Sequence, residues 1–343
     1  MIDISKLEYR LICVDPEGKQ YDLTSVTSGL GWSEGEKELA AKITCKVAAV
    51  EFTTGIQPMT PLFIYADMGN GFAEVMRGTV EKVELIESNG EYYLNLEASD
   101  ECQALRHNQD DLYFTEGHTS KAILEEILSK WGIPHELKLE EVTHAKKVYR
   151  QKYLSDMVAD VLKDVKEKGG GVYFMRAKEG VVEIIPRGTN EVIYHFDIDY
   201  NVVKVRERFD ATSIVTRVQV VAKSNEEGRQ RIESTIDGKT EYGVRQVIYR
   251  RGDKETLAEA ETAAKKLLEE QGDVKRETIL ESPDVPTLRK GDKVRVHSST
   301  GEGYFFVKSV RHSAPEMKMT MELDADKTEY DTAMTSEGTE GAP

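Results

Sequence analysis

The chain has 343 residues, of which 39% are hydrophobic and 31% charged, a balance typical of a water-soluble protein with two or three domains. Its net charge of -16 argues against a nucleic-acid-binding module, because phosphate binding requires a basic surface. No segment approaches the roughly 20 apolar residues that a membrane-spanning helix needs. The N-terminus lacks the basic-then-apolar pattern of a signal peptide, which predicts synthesis and retention in the cytosol.

The first hundred residues predict β-strands joined by turns. Apolar and polar residues alternate in "KITCKVAAV" (42–50) and again in "YYLNLEA" (92–98), and a two-residue period marks strands with one buried face. The dipeptide Asn89-Gly90 precedes the second of these strands and favours a tight hairpin. We therefore predict an antiparallel β domain over residues 1–103.

The middle of the chain, residues 104–200, changes to the helical period. In "HTSKAILEEILSKWGIP" (118–134), Thr119 is a predicted N-cap and the apolar residues lie three and four apart, with Trp131 on the predicted buried stripe. A second helix is predicted after it, with Ser155 as its N-cap. A hairpin follows a run of three glycines, so this region predicts a small α/β domain.

Residues 201–327 return to strands, with one flanking helix. Thr256 and Glu259 have the spacing of a capping box at the start of that helix. Near the end, Met317, Met319 and Met321 alternate with polar residues. A thioether site for Cu(I) would need further soft ligands, and no CxxC motif or histidine cluster accompanies them. These methionines therefore predict the apolar face of a core strand. Residues 328–343 are polar, and we predict a disordered tail.

The two β regions also resemble each other. Each contains V-x-x-V followed by a hairpin and an alternating strand that ends near an aspartate; the motifs begin at Val80 and Val307, and the aspartates are Asp100 and Asp324. The predicted fold class is α+β and β-rich, with two related antiparallel barrels flanking a small α/β insertion. Different strand orders in the two regions, or one sheet continuous across both, would contradict this duplication.

Three stretches carry a resemblance to a known family: "VMRGTVEKVEL" (75–85), "EASDECQALRHNQDDLYFTEGHTSKAILEEIL" (97–128), and the C-terminal strands with "GYFFVKSVRHS" (303–313). Together with the order of segments, they resemble the XkdQ/YqbQ-like baseplate hub proteins of contractile phage tails and bacteriocins. The resemblance implies tube-like barrels, a homotrimer with six similar barrels in a ring, and contacts with the tail tube protein, the central spike protein and other baseplate proteins. It implies assembly in the host cytoplasm and a final place in the tail baseplate of a virion or phage-like particle. It implies no catalytic, cofactor-binding or metal-binding residues.

An enzyme, such as a peptidoglycan hydrolase, is the first alternative class. No GxSxG motif occurs and the seven histidines lack zinc-binding spacing; they are His107, His118, His135, His144, His195, His297 and His312. Asp197 and Asp199 are two residues apart, as in some metal sites, but a turn that joins two domains explains them better. The glycine run 169–171 follows a helix instead of opening one, so it lacks phosphate-binding geometry.

A carbohydrate- or receptor-binding module is the second alternative class. Such sites expose clustered aromatic residues, and the chain has only two tryptophans, with Trp32 predicted to be exposed in a loop and Trp131 predicted to be buried. The three cysteines, Cys13, Cys45 and Cys102, are odd in number and lie in β-like segments, which predicts reduced, buried side chains.

Overall fold

A computed structural model describes residues 6–36, 38–222, 230–252, 255–298 and 301–326. The predicted disordered tail, 328–343, lies outside these residues. The part of the chain that the structure describes forms two compact units: one contains the chain up to Val205 and again from Ile279, and the other is Arg206–Thr278. Within these residues no helix is both long and apolar enough to cross a bilayer.

The first β region contains seven strands, β1–β7. Their bounds are Glu8–Val14, Gln20–Asp22, Thr27–Glu34, Lys42–Ala48, Pro61–Asp67, Phe72–Ser88 and Glu91–Ser99. The predicted alternation is confirmed, because Ile43, Cys45 and Val47 are buried while the residues between them are exposed. The hairpin between β6 and β7 turns at Asn89 and Gly90, which both have positive φ, as a type I′ turn requires.

The middle region packs three short helices and five strands around its own core. The elements are α1 (Gln103–His107), β8 (Gln109–Phe114), α2 (Ser120–Lys130), β9 (His135–Leu137), β10 (Lys147–Tyr153), α3 (Leu154–Glu167), β11 (Tyr173–Lys178) and β12 (Val181–Pro186). Thr119 caps α2 by accepting a hydrogen bond from the backbone of Ala122, as predicted. The predicted cap at Ser155 is wrong, since the N-cap of α3 is Tyr153 and its side chain makes no capping bond.

The second β region begins with β13 (Tyr194–Asp197) and β14 (Lys204–Asp210). The compact unit Arg206–Thr278 contains β15 (Arg217–Val221), β16 (Ile232–Asp237), β17 (Gln246–Arg250) and α4 (Leu257–Gln271). Its helix starts with the predicted capping box of Thr256 and Glu259. The remaining strands of the second region are β18 (Lys275–Pro283), β19 (Lys293–Ser298), β20 (Gly301–Ser313) and β21 (Lys318–Ala325).

The methionine strand is a core strand, as predicted. Met319 and Met321 are buried in β21, and Leu323 continues the same face. Met317 differs from the prediction: it has a positive φ of 48° in the turn before β21 and is 43% exposed. The buried face of this strand therefore begins at Met319 and not at Met317.

The two β regions have the same strand order. The first is ordered β3-β4-β7-β6-β5-β1, and the second β14-β18-β21-β20-β19-β13, so equivalent strands also follow one another in the same order along the chain. The short strand β2, which pairs with β1, has no equivalent among the strands of this second order. One pair differs in direction, since β1 is antiparallel to β5 whereas β13 is parallel to β19.

The V-x-x-V motif marks the same β-bulge in both regions. Val80 pairs with Ala98, and the register then skips one residue so that Lys82 pairs with Glu97. Val307 pairs with Leu323, and the register again skips one residue so that Ser309 pairs with Glu322. Because a bulge inserts one residue at a defined place, this match aligns the two regions residue by residue. By that alignment Asp324 matches Ser99, so the two closing aspartates are not equivalent.

The turn before β5 is repeated before β19. The N–H of Met59 donates to the carbonyl of Val80 at 2.7 Å, and the N–H of Gly291 donates to the carbonyl of Val307 at 2.8 Å. Met59 and Gly291 both have positive φ, 77° and 90°. The shared turn extends the equivalence beyond the strands themselves.

The prediction that the two β regions would form separate sheets is wrong. β3 pairs with β20 in antiparallel register over four residue pairs, from Val310 with Glu34 to Ser313 with Gly31, and a single 13-stranded sheet results. The criterion given above, that one continuous sheet would contradict the duplication, is therefore met, and it was too strict. Continuity arises because β3, the edge strand of the first region, adds to β20 of the second, and the strand order, bulge and turn that the regions share still support a repeat. The strands do not close into barrels within the described residues, so barrel closure stays a prediction.

Candidate functional site at the joint between the two β regions

The joint at which β3 meets β20 is buried. Trp32 on β3 is opposite His312 on β20, and their rings stack with centroids 4.5 Å apart. Trp32 is only 2% exposed, which corrects the prediction of an exposed loop tryptophan. Its partner at the joint explains the difference, because the strand that covers Trp32 lies about 280 residues further along the chain.

A carboxylate holds His312 from the side of the second region. Asp284 Oδ1 lies 2.6 Å from His312 Nδ1, and the carbonyl of Leu288 lies 3.1 Å from Nε2. Tyr9 of the first region donates its hydroxyl proton to Asp284 Oδ2 at 2.6 Å. Both ring nitrogens of His312 therefore lie within hydrogen-bond distance of oxygen atoms. The contact between the regions is thus built from hydrogen bonds as well as from β pairing.

An ion pair closes the other end of the joint. The guanidinium of Arg289 donates to both carboxylate oxygens of Glu34, at 2.6 and 2.7 Å, and both side chains are buried. Burial alone would raise the pKa of Glu34, but the charge and hydrogen bonds of Arg289, with Lys290, lower it to about 2. Glu34 is therefore ionised at neutral pH, and its charge is fully paired.

The turn before β19, which contains Arg289, also contacts the middle region. Arg289 donates to the carbonyl of Ala177 at 3.0 Å, and Arg176 donates to Asp292 Oδ1 at 2.9 Å. Asp292 Oδ2 in turn accepts from the backbone N–H of Arg289. Each of these charges faces an internal partner, so the network holds the two β regions and the middle region in a fixed orientation.

The predicted aspartate pair meets a histidine. Asp197, Asp199 and His297 each place one ligand-type atom within 4.8 Å of the others. His297 Nδ1 lies 3.3 Å from Asp197 Oδ2, and the backbone of Asp199 donates to Asp197 Oδ1. The backbone hydrogen bond from Asp199 and, after it, the contact with His297 lower the pKa of Asp197. Asp197 ends β13 and Asp199 lies in the turn that follows it, so the predicted turn is present.

A serine, a histidine and an aspartate line up in the middle region, which the sequence did not reveal. His144 Nε2 lies 2.8 Å from Ser120 Oγ, and His144 Nδ1 lies 3.0 Å from Asp164 Oδ2. Ser120 is fully buried and donates its proton to the carbonyl of Val142 at 3.0 Å. A nucleophile must be reachable by its substrate and give its proton to the histidine, so this triad is a structural bond network that anchors the start of α2.

The other candidate residues are dispersed. All three cysteines are buried and unpaired, and burial raises the pKa of Cys45 to about 12, as predicted for small core residues. Trp131 is 39% exposed and donates to Asp110, so the prediction that it is buried is wrong. It is the C-cap of α2, so it follows the last residue of the helix and does not belong to the buried stripe.

The fold is that of solved phage tail proteins. A tail protein from Neisseria meningitidis MC58 superposes with a TM-score of 0.67 at 13% identity, covering 93% of this chain and 97% of that one. The 43 kDa tail protein of prophage MuSo2 from Shewanella oneidensis gives 0.67 at 12% identity, covering 92% and 98%. An E. coli type VI secretion system component, described as similar in structure to the T4 bacteriophage tail proteins gp27 and gp5, gives 0.53 at 12% identity, covering 93% and 76%.

The family follows from the sequence itself. The model of the YQBQ-like family matches residues 32–326, which is most of the chain, and the protein belongs to that family. This confirms the resemblance noted from its sequence stretches. A search of curated protein sequences found no match.

Proposed function

We propose that this protein is a structural baseplate hub of a contractile tail. Three copies would form a ring of six similar β units, which connects a hexameric tail tube to a trimeric central spike. The observation that carries the proposal is the repeated strand order with its shared bulge. A connector between six-fold and three-fold assemblies must present six equivalent surfaces from three chains, and an internal repeat provides two such surfaces per chain.

Membership of the YQBQ-like family and the tail-protein fold support this role. In the proposed ring, residues 1–103 and 201–327 act as tube-like barrels, and residues 104–200 lie outside the pseudo-six-fold repeat. The partners would be the tube, the spike and other baseplate proteins, with the ring in the tail of a virion or phage-like particle after assembly in the host cytoplasm.

The joint supports a protein that acts by fit. Its charged groups are paired internally, and the one triad-like arrangement described above has a buried serine. We therefore propose that the protein has no catalytic activity and needs no cofactor. A tail-associated carbohydrate- or receptor-binding module and a peptidoglycan hydrolase are the alternatives.

The test combines imaging with an activity assay. Negative-stain class averages of the purified protein with its spike partner should show a three-fold complex with six peripheral densities. A zymogram should show no clearing of peptidoglycan, and Asp197→Ala should change particle infectivity or killing only through stability. Lysis that is lost with one carboxylate, or glycan binding by a monomer, would contradict the proposal.

A further inference from the structure

One edge of the first β region lacks a neighbour that the second region has. Residues 310–313 of β20 pair with β21 on one side and with β3 on the other. The bulge alignment makes residues 83–86 of β6 their equivalents. Among the described strands, this part of β6 pairs only with β7, because β5 ends its pairing at Thr79. An open edge of this kind is a site for adding a strand.

This open edge carries apolar side chains whose equivalents in the second region are buried. Leu85 is equivalent to His312, which is 1% exposed beneath Trp32, yet Leu85 is 64% exposed. Val83 is equivalent to Val310, which is buried at 1%, and Val83 is only partly buried. The first region therefore presents apolar residues at positions that the second region covers with β3.

The strand that fits this edge is β14. In the strand order β14 occupies the place that β3 has in the first region, next to β18 as β3 is next to β4. β3 is covered on its far side by β20, whereas β14 is the terminal strand of the order. Each chain thus has one completed joint, β3 with β20, and the two separate halves of a second joint.

We propose that β14 of one copy pairs with residues 83–86 of β6 in a second copy, reproducing between chains the joint that β3 and β20 form within one chain. The inference rests on the proposed assembly of three copies and names the surfaces that meet. Such a contact is head-to-tail, and it closes into a ring when the rotation between copies divides a full turn. Leu85 would then be buried, as His312 is.

Disulfide cross-linking between two differently tagged, co-expressed copies tests the pairing. One copy carries Leu85→Cys and the other carries Arg206→Cys or, in a second sample, Arg208→Cys. Both arginines are exposed on β14, and facing strands bring Cα atoms within the roughly 4.4–6.8 Å that a disulfide spans. A mixed cross-link is expected with at least one of them on mild oxidation. The matched control is Thr320→Cys, an exposed residue of β21, which lies between two strands and should give none.

A second variant measures the same contact without cysteine. Leu85→Asp should leave the urea midpoint of the dilute chain unchanged, because Leu85 is exposed there. It should raise the concentration for half-assembly at least about tenfold, because the charge would be buried in the contact.

Light scattering on the unmodified protein shows whether it forms a trimer, and this result distinguishes failure of the β14–β6 contact from failure of the proposed hub. A trimer that gives neither cross-link and tolerates Leu85→Asp would overturn the β14–β6 contact and leave the proposed hub standing. Cross-linking as strong from Thr320→Cys as from Leu85→Cys would overturn the contact as well. A chain that stays monomeric with and without its spike partner, and does not cross-link, would overturn both.

Discussion

The two β regions share a strand order, a bulge and a turn, but they differ in what surrounds them. The loop between β3 and β4 is short, whereas the equivalent connection from β14 to β18 contains β15, β16, β17 and α4, which belong to the compact unit Arg206–Thr278. The turn of the second region carries Arg289 into the joint, while the equivalent residue of the first region, Gln57, is exposed. A repeat that is alike in its backbone and unlike in its edges can form one contact inside the chain and leave another for a partner.

Substitutions at equivalent core positions of the two repeats should destabilise the protein to a similar degree, and by more than substitutions in the joint or the shared turn. Met319 and Leu94 are equivalent and both buried. Met319→Asp and Leu94→Asp should each lower the free energy of unfolding by about 4 kcal/mol or more, because each buries an unpaired charge. Urea denaturation followed by circular dichroism measures both. Lys318→Asp, on the partly exposed face next to Met319, should cost no more than about 1 kcal/mol. Equal tolerance at positions 318 and 319 would show that the strand face has been assigned wrongly.

Substitutions at Arg289 in the joint and at its equivalent, Gln57, should have different effects on the free energy of unfolding. Arg289→Met leaves the Glu34 carboxylate buried without its partner, and we expect a loss of about 3–5 kcal/mol. Gln57→Met, at the equivalent exposed position, should change stability by less than about 0.5 kcal/mol. The double variant Glu34→Met with Arg289→Met should recover most of the loss, because no charge is then buried. A similar cost for Arg289→Met and Gln57→Met would mean that the ion pair does not hold the joint.

Substitutions in the shared turn should change stability in opposite directions in the two repeats. Gly291→Ala should destabilise the protein by about 2 kcal/mol, since φ is 90° and a Cβ there would approach Phe174 to 3.0 Å. Met59→Gly should stabilise it by about 1 kcal/mol, because Met59 adopts a positive φ of 77° that glycine reaches without strain. Thermal unfolding of both variants measures the difference. Destabilisation by Met59→Gly would show that the turn does not need the left-handed conformation.

Local sequence patterns predicted the elements of each repeat but not the way the repeats meet. The alternation around Cys45, the Asn89-Gly90 hairpin and the cap at Thr119 depend on neighbours in the chain, so they could be read directly. The pairing of Trp32 with His312 depends on two edges that are far apart in sequence, and no short-range period encodes it. The joint was missed for that reason.

The bond from Arg289 to Glu34 was also invisible in the sequence. An acidic residue is not marked as buried by its type, and only the folded turn brings the guanidinium to it. With 62 acidic residues in the chain, composition alone could not single out Glu34.

The two aspartates near the ends of strands β7 and β21, Asp100 and Asp324, give the difference that depends on pH. Burial raises the pKa of Asp100 to about 7, and within the described residues its Oδ2 has no hydrogen-bond partner, which suits a protonated carboxyl. An acid with a raised folded-state pKa stabilises the protein below its unfolded value of 3.8, and this contribution is lost as the pH rises through about 7. The loss should reach up to about 1.4 kcal/mol per pH unit.

Asp100→Asn should remove that loss, because a neutral amide resembles the protonated acid and keeps the oxygen that accepts from the backbone of Cys102. Urea midpoints from pH 5 to 8 should therefore fall for the unmodified chain and fall less for the variant. Glu34 does not interfere in this window, since its pKa of about 2 makes its contribution disappear only below about pH 4.5. Asp324→Asn breaks an exposed pair with Arg187 and should cost less than about 1 kcal/mol. If the variant and the unmodified chain lose stability in parallel between pH 5 and 8, Asp100 is ionised in the folded protein and the two closing aspartates are electrostatically alike.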